Sequence, residues 1–485
     1  MIPKPSEVVH SAADWYKTAN TANEIPFWIV FAIAIYTPFE EFIIKWLGPL
    51  ASAVRFLPEF VLYGLVAQIL VDRFQNRTLK RTPIDILLFF FVIATFISII
   101  INDSSIKQSA ITMRVLWRYL SVFYIVVNID ISLSQLKLMI KGITIVGMMQ
   151  AALAALQIFM PSGLLKIFAP KGFNIGGFSR VSNAEAGNVK VGAVFGTFSA
   201  PAALSAFLLF LLIVSTTYLF TAPGMLMPIR QELLGIGATA MGIFGTKKRA
   251  AWLLAAVMPI IVLFFCRKSK GIAKTVWLYA AVALGTVVIT SMLGGLEFDT
   301  SFSGSDAREE SIDTVSYVFQ LFDPNYWDES SEASRGWVIG TITNALSQSG
   351  SWFGFGPDLF NARRLIADTI TDGSDRLKII NMGPVEDTYW VVMLAYFGVV
   401  GMSIYAAMIW RLFRAGSWLS KNASDPEYRR LGIMFCSLVV LTIFYNFIER
   451  ILQIRGFSLY FWLFAGLVVN AYNAHQREAL KQPPP

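Results

Sequence analysis

Imidazole is nearly missing from this chain: its 485 residues contain two histidines, His10 and His475, both in polar terminal segments. Acid–base or metal chemistry in the interior must therefore run without the side chain best suited to it at neutral pH. Cysteine is as scarce, and Cys266 and Cys436 lie at or within apolar runs, which excludes a disulfide framework and a thiolate metal site. Charge is thin as well, with 15% of residues charged against 55% hydrophobic and a mean hydropathy of +0.57. A soluble domain of this size has nowhere to hide so much apolar surface, so the composition describes an integral membrane protein. The first 24 residues lack the basic, apolar, small-residue order of a cleaved signal peptide, so the first membrane helix is expected to be retained. The formal net charge of +8 comes with no nucleic-acid motif or basic aromatic groove; it follows from the Lys and Arg that membrane proteins collect in cytoplasmic loops.

What is abundant is apolar runs of about 20 residues, the length that spans a bilayer. The sequence predicts an all-α polytopic membrane protein with about twelve transmembrane helices, near 26–46, 56–72, 83–101, 112–128, 137–160, 202–220, 224–244, 249–266, 273–293, 386–411, 430–448 and 454–473. No period of twenty to fifty residues marks a repeat. Lys and Arg concentrate in even-numbered connections: Arg73, Arg77, Lys80 and Arg81 in the second, Arg267, Lys268, Lys270 and Lys274 in the eighth, and Arg411, Arg414, Lys421, Arg429 and Arg430 in the tenth. By the positive-inside rule these connections and both termini face the cytoplasm, and the long ninth connection, 294–385, lies outside. That loop holds fourteen Asp or Glu against six Lys or Arg. The chain thus divides into helices one to nine (1–293), the outer loop (294–385), and helices ten to twelve with a C-terminal tail (386–485).

Two outward connections break the charge bias. The fifth carries Lys166, Lys171, Arg180 and Lys190, and the seventh carries Lys247, Lys248 and Arg249 in adjacent positions. Cations at the outer end of a membrane helix are expensive to hold near hydrocarbon unless an anion meets them. Phosphate suits them, because Arg grips its oxygens with a planar fork and Lys adds a point charge. The helix beginning near Arg249 adds its own N-terminal N–H groups. Snorkelling of Lys247 and Lys248 to lipid headgroups is the competing explanation. In the outer loop, "SRGWVIGTITNAL" reads as an amphipathic helix capped by Ser334, led by Arg335, with Trp337, Ile339 and Ile342 near one face. "GFGPD" reads as a turn and 361–368 as a second short helix. Glu386 and Asp387 sit at the mouth of the tenth helix, where a carboxylate is either a cap or a base that accepts a proton from a sugar hydroxyl.

Taken together, these segments resemble the O-antigen polymerase and O-antigen ligase superfamily, membrane glycosyltransferases of GT-C-like build. "IFGTKKRAAWLLA" (Ile243 to Ala255) resembles the family's "TGSRGAWL", with Thr246, Arg249, Ala250 and Trp252 matching. "GTFSAPAALSAFLL" (Gly196 to Leu209) resembles "GTF-x-x-PN-x-L-A", with Ala202 where the Asn is usual. The 334–360 segment resembles the one in which an Arg leads an amphipathic helix and a Gly-x-Gly turn follows. "EDTYWVVMLAYFGVVG" matches "HN-x-YL-x-x-LAE-x-GLVG" in its spacing, tyrosine and glycines, and Asp387 falls where ligases carry histidine.

The resemblance implies a polymerase that joins undecaprenyl-diphosphate-linked oligosaccharide repeats at the periplasmic face of the bacterial inner membrane, with a chain-length regulator as a further partner and no metal or other cofactor. It implies Arg249 as the residue that meets the diphosphate leaving group, with Lys247, Lys248, Arg180, Arg335 and Tyr389 on donor or acceptor, and Glu386 or Asp387 as base. The alternatives are a ligase that delivers the glycan to lipid A core or protein, and a transporter or flippase of lipid-linked glycan. The latter should show paired halves, and the sequence has none.

Overall fold

The computed structural model describes residues 25–160, 162–168, 173–175, 178–180, 193–266, 276, 279, 335–370, 376, 379 and 388–481. Those residues form a bundle of apolar helices, eight of them long and apolar enough to cross a membrane, or nine if one bent pair counts as a single span. This is a multi-pass helical membrane protein. In chain order the bundle holds α1 (Ile25–Tyr36), α2 (Glu40–Trp46), α3 (Ala51–Gln75), α4 (Asp85–Ile101), α5 (Ile106–Trp117), α6 (Leu120–Asn128) and α7 (Leu133–Gln157). A short α8 (Ser162–Phe168) and an antiparallel ribbon of β1 (Phe173–Ile175) and β2 (Phe178–Arg180) follow, Phe173 opposite Arg180. Then come α9 (Pro201–Thr221), α10 (Ile229–Gly245), α11 (Arg249–Cys266), α12 (Arg335–Ser349), α13 (Leu359–Asp368), α14 (Tyr389–Asn422), α15 (Pro426–Tyr445) and α16 (Arg455–Lys481).

The expected spans map onto these helices with instructive differences. The first is bent where Pro38 starts a 3-10 turn between α1 and α2. The fourth is broken into α5 and α6, which meet at 50°. The third, α4, is apolar but only 17 residues long. The seventh begins after Pro228 as α10, whose Arg230, Gln231 and Glu232 keep it out of the strongly apolar set. The expected span at 273–293 lies outside the described residues apart from 276 and 279.

At the centre is α9, every residue of whose most apolar window is buried. A helix apolar on all sides belongs inside a bundle, and α9 packs against α7, α10, α11, α15 and α16. Hydrogen bonds sort the connections into two ends. At one end Lys80 and Arg73 pair with Asp130 at 3.0 and 3.5 Å, Asn473 Nδ2 donates to the Arg81 carbonyl at 3.1 Å, and Arg430 Nε donates to Thr221 at 3.0 Å. The second and tenth connections, which sequence assigned to one side, share this end; the eighth, with Arg267, Lys268, Lys270 and Lys274, lies outside the described residues. The opposite end gathers residues 36–59, 102–118, 193–200, 243–252, 388–390 and 446–458.

The 335–370 segment docks onto α14 because Gly398 breaks that helix. Gly398 has φ +62°, which frees the carbonyls of Ala395 and Tyr396 from their helical partners. The "GFG" turn supplies replacements: Phe355 N–H donates to Ala395 O at 2.8 Å and Gly356 N–H to Tyr396 O at 3.1 Å. Asn102 Nδ2 donates to Gly354 O at 2.9 Å, and Asp358 both caps α13 and accepts from Ser105 N–H at 3.1 Å. The buried face of α12 is Val338, Ile342 and Ala345, while Ile339, expected on that face, is exposed. Ile342 lies on the buried face as expected and Trp337 packs at its edge, so of the predicted stripe only Ile339 departs, with Val338 taking the buried place. Ser334, the expected cap, lies outside the described residues.

A methyl group at Gly398 would collide with the backbone of Trp352 and Gly354 as well as strain the positive φ, whereas Gly64 of α3 has open space around it. Gly398→Ala should therefore lower the thermal unfolding midpoint in detergent by several degrees, the equivalent of about 2 kcal/mol or more. Gly64→Ala should leave it level or slightly raised; equal midpoints for the two variants would contradict the docking role.

Candidate functional site

The basic stretch that drew attention in sequence is a rigid corner. Thr246 ends α10, donating its hydroxyl to Ile243 O at 2.6 Å, and Lys247 takes φ +52° so that the chain reverses into α11. Trp252 stacks on Phe244 at 4.6 Å and its indole N–H donates to the Ile243 and Phe244 carbonyls, both at 3.1 Å. Val194 N–H donates to Gly245 O at 2.9 Å. A side chain on Gly245 would press on Ile158 and Val194. Thr246 and Trp252 thus close the carbonyl end of α10, which leaves the three cations as the outward content of the motif. Lys247 is exposed, Lys248 and Arg249 half-buried, and Arg249 opens α11. Lys248 Nζ lies 2.7 Å from Glu449, a residue absent from the sequence expectation.

Glu449 belongs to the turn between α15 and α16, and that turn leads to a second charged centre. Arg455, first residue of α16, pairs with Glu40 and with Glu59, the latter at 3.2 Å. Glu59 Oε2 also accepts from Arg114 Nε and Nη2 at 2.9 and 2.5 Å, while Glu59 Oε1 faces Arg118 Nε at 3.2 Å. Arg55, one helical turn before Glu59, pairs with Glu41 at 2.7 Å. Four arginines meet three glutamates, which leaves one formal positive charge, and Glu40, Arg55, Glu59 and Arg118 are each less than 9% exposed. Charges so placed in a membrane bundle stay ionised only with partners, and in a low-dielectric surround their fields reach further than in water.

Arg118 is the unusual member. It stands with Tyr119 at the break between α5 and α6, is 8% exposed, and among the described residues its one charged partner is Glu59, with no aligned hydrogen bond from the guanidinium. Nearby buried polar atoms are likewise without hydrogen-bond partners: Tyr36 Oη, Trp117 Nε1 and Ser109 Oγ, besides Glu59 Oε1. Broken membrane helices occur where backbone and polar side chains line a polar cavity or binding site. A guanidinium with uncommitted donors at such a break can receive an anion.

The resembling segments converge on this same end. Gly196 and Thr197 are clamped by two buried glutamines of α7: Gln157 Oε1 accepts from Gly196 N–H at 2.8 Å, and Gln150 Nε2 donates to Thr197 Oγ1 at 2.8 Å. Thr197 Oγ1 in turn donates to Pro38 O at 2.5 Å, beside Glu40. Tyr389 is buried, its hydroxyl donating to Tyr405 at 2.9 Å and its N–H to Asn446 O at 3.0 Å, so it joins α14 to the turn that carries Glu449. Thr388 Oγ1 and Asn446 Nδ2 are buried there without partners. Glu386 and Asp387, immediately before, lie outside the described residues. Arg180 ends β2 and Arg335 begins α12; only their backbones are described.

Sequence reading gave no functional role to Glu40, Glu41, Arg55, Glu59, Arg114, Arg118, Glu449 or Arg455. A signal was present: Arg55 with Glu59, and Arg114 with Arg118, are four residues apart on otherwise apolar helices, so each pair shares a face. No group of three metal-ligating side chains occurs among the described residues. No family model matches this chain, and no curated protein matches it.

Removing the Glu59 charge leaves three guanidiniums with a missing partner in the bundle interior. Glu59→Gln should cost about 3–5 kcal/mol of stability. Glu449→Gln, which breaks a half-exposed pair, should cost about 1 kcal/mol or less. Unfolding of both purified variants in detergent checks this order, and a Glu59→Gln protein as stable as Glu449→Gln would contradict it.

Proposed function

We propose that this chain is a bacterial inner-membrane glycosyltransferase that polymerises polyprenyl-diphosphate-linked oligosaccharides, with its active site on the periplasmic side and twelve spans placing both termini in the cytoplasm. One observation carries the reading. Three sequence segments that resemble the O-antigen polymerase and ligase superfamily, at 196–209, 243–255 and 386–401, are bonded into the turns that hold the 247–249 corner and the arginine centre, and the fourth, 334–360, bonds at the same end to Asn102 and Ser105. The leaving group of such a reaction is a lipid diphosphate. Charge builds on it as the glycosidic bond breaks, so fixed guanidiniums lower the barrier without a metal ion being required.

Arg249 has the leading role in this scheme, Lys247, Lys248, Arg180 and Arg335 assist it, and Arg118 adds uncommitted donors. Glu386 or Asp387 accepts the proton of the acceptor hydroxyl. The acidic residue at 387, where resembling ligases carry histidine, favours polymerase over ligase. Each turnover would join the reducing end of one chain to the terminal sugar of another carrier-linked repeat and release one carrier diphosphate.

Purified protein given one lipid-linked repeat as sole substrate should make a ladder of longer glycans. A ligase would leave that substrate unextended, and a transporter would move it across a proteoliposome unchanged. Arg249→Ala and Arg118→Gln should each slow elongation on the order of a hundredfold. Of Glu386→Gln and Asp387→Asn, one should lose most turnover and the other little. A normal ladder from Arg249→Ala would remove that residue from the mechanism.

A further inference from the structure

The opposite end of the bundle holds a cavity of about 410 Å³. Its wall is α14, which contributes Trp410, Arg411, Arg414, Trp418 and Lys421; Tyr472 of α16 and Pro83 before α4 close the other side. Arg411, Arg414 and Lys421 are three and seven residues apart, which sets them on one stripe of the helix. No Asp or Glu lines the cavity among the described residues. Of the described carboxylates in the neighbouring connections, Asp85 is engaged by Thr82 and Tyr124, Asp130 by Lys80 and Arg73, Asp425 by the Glu427 N–H, and Glu427 by Tyr218 and Arg430, while Asp72 of α3 is not part of the cavity lining. Among the described residues, therefore, three cations share one cavity with no carboxylate in its lining to answer them.

We propose that this cavity binds the phosphate headgroup of an anionic phospholipid. The volume falls within the range of small-ligand sites. Aromatic side chains mark headgroup depth at a bilayer interface, and here they are organised: Trp410 stacks on Phe413 with ring centres 5.6 Å apart, and Trp418 meets Tyr472 edge-on at 5.1 Å. Basic pockets between membrane helices are where lipids with anionic headgroups bind selectively. An apolar track for the acyl chains continues from the cavity, since Val399, Ala406 and Trp410 are exposed along one side of α14. That track separates a lipid from a free phosphate, which would use the cations alone. The site is independent of glycosyl transfer and stands whether or not the proposed reaction is right.

The test uses the full chain in detergent, with native mass spectrometry and thermal unfolding as readouts and phosphatidylglycerol, cardiolipin, phosphatidylcholine and inorganic pyrophosphate as probes. The wild-type protein should retain phosphatidylglycerol or cardiolipin and gain thermal stability, and should do neither with phosphatidylcholine. The triple variant Arg411→Gln, Arg414→Gln, Lys421→Gln should lose affinity on the order of a hundredfold, about fivefold per cation. Arg429→Gln should bind as wild type, because Arg429 lies outside the cavity and donates to the Ser424 carbonyl. Equal retention of anionic lipid by the triple variant, or of phosphatidylcholine by the wild type, overturns the proposal. Pyrophosphate binding as tightly as cardiolipin overturns the lipid assignment in favour of a free-anion site. Should the triple variant fail to fold, Arg411→Gln alone must still weaken lipid binding severalfold.

Discussion

One carboxylate, that of Glu59, stands within reach of three guanidiniums that come from α5, from the break before α6 and from the start of α16. An arginine inside a membrane bundle is tolerated only where an anion meets it, so this carboxylate decides how those three elements and α3 come together. Its effect spreads along the chain. Arg455 is held, which fixes where α16 begins; the turn before it is then fixed, and with it Glu449 and the Lys248 that Glu449 binds. Asn446 in the same turn accepts from the Tyr389 N–H and so sets the first residue of α14, beside Glu386 and Asp387 in sequence. The two cationic centres are therefore parts of one framework.

The sequence made the helices legible because hydrocarbon imposes a single rule on length and polarity. It was weakest where a span departs from that rule. The fourth span read as continuous, because no Pro or Gly marks the break at Arg118 and Tyr119; the break comes instead with a charged residue that has polar company at that depth. The site was half legible. Arg249 and its neighbours stood out because three adjacent cations were expected on the side that the charge bias disfavours, whereas Arg55, Glu59, Arg114 and Arg118 drew no reading. Their i, i+4 spacing was visible, but which arginine would meet which glutamate is a matter of tertiary packing, as is the contact between Arg455 and Glu40, 415 residues apart. Thr246 and Trp252 stood out for resemblance; the structure gives both a mechanical job at the end of α10.

The two ends of the bundle solve opposite electrostatic problems. At the end that carries Glu59, charge is concentrated and cross-linked, and the surplus is one buried arginine at a helix break. At the other end the carboxylates are spent on local pairs, and the cations of α14 look out through a sleeve of aromatic rings. The carboxylate scaffold stiffens the positively charged end, which is what the proposed transfer from a lipid-linked donor would require of it.

The most direct test of the account is a structure of the protein with undecaprenyl diphosphate bound in a lipid nanodisc. Diphosphate density is expected against the guanidinium of Arg118 or the Lys247, Lys248 and Arg249 corner, with the polyprenyl chain leaving between the surrounding helices. Diphosphate seated at the other end of the bundle, or a carrier that touches no residue of either cationic centre, would contradict it.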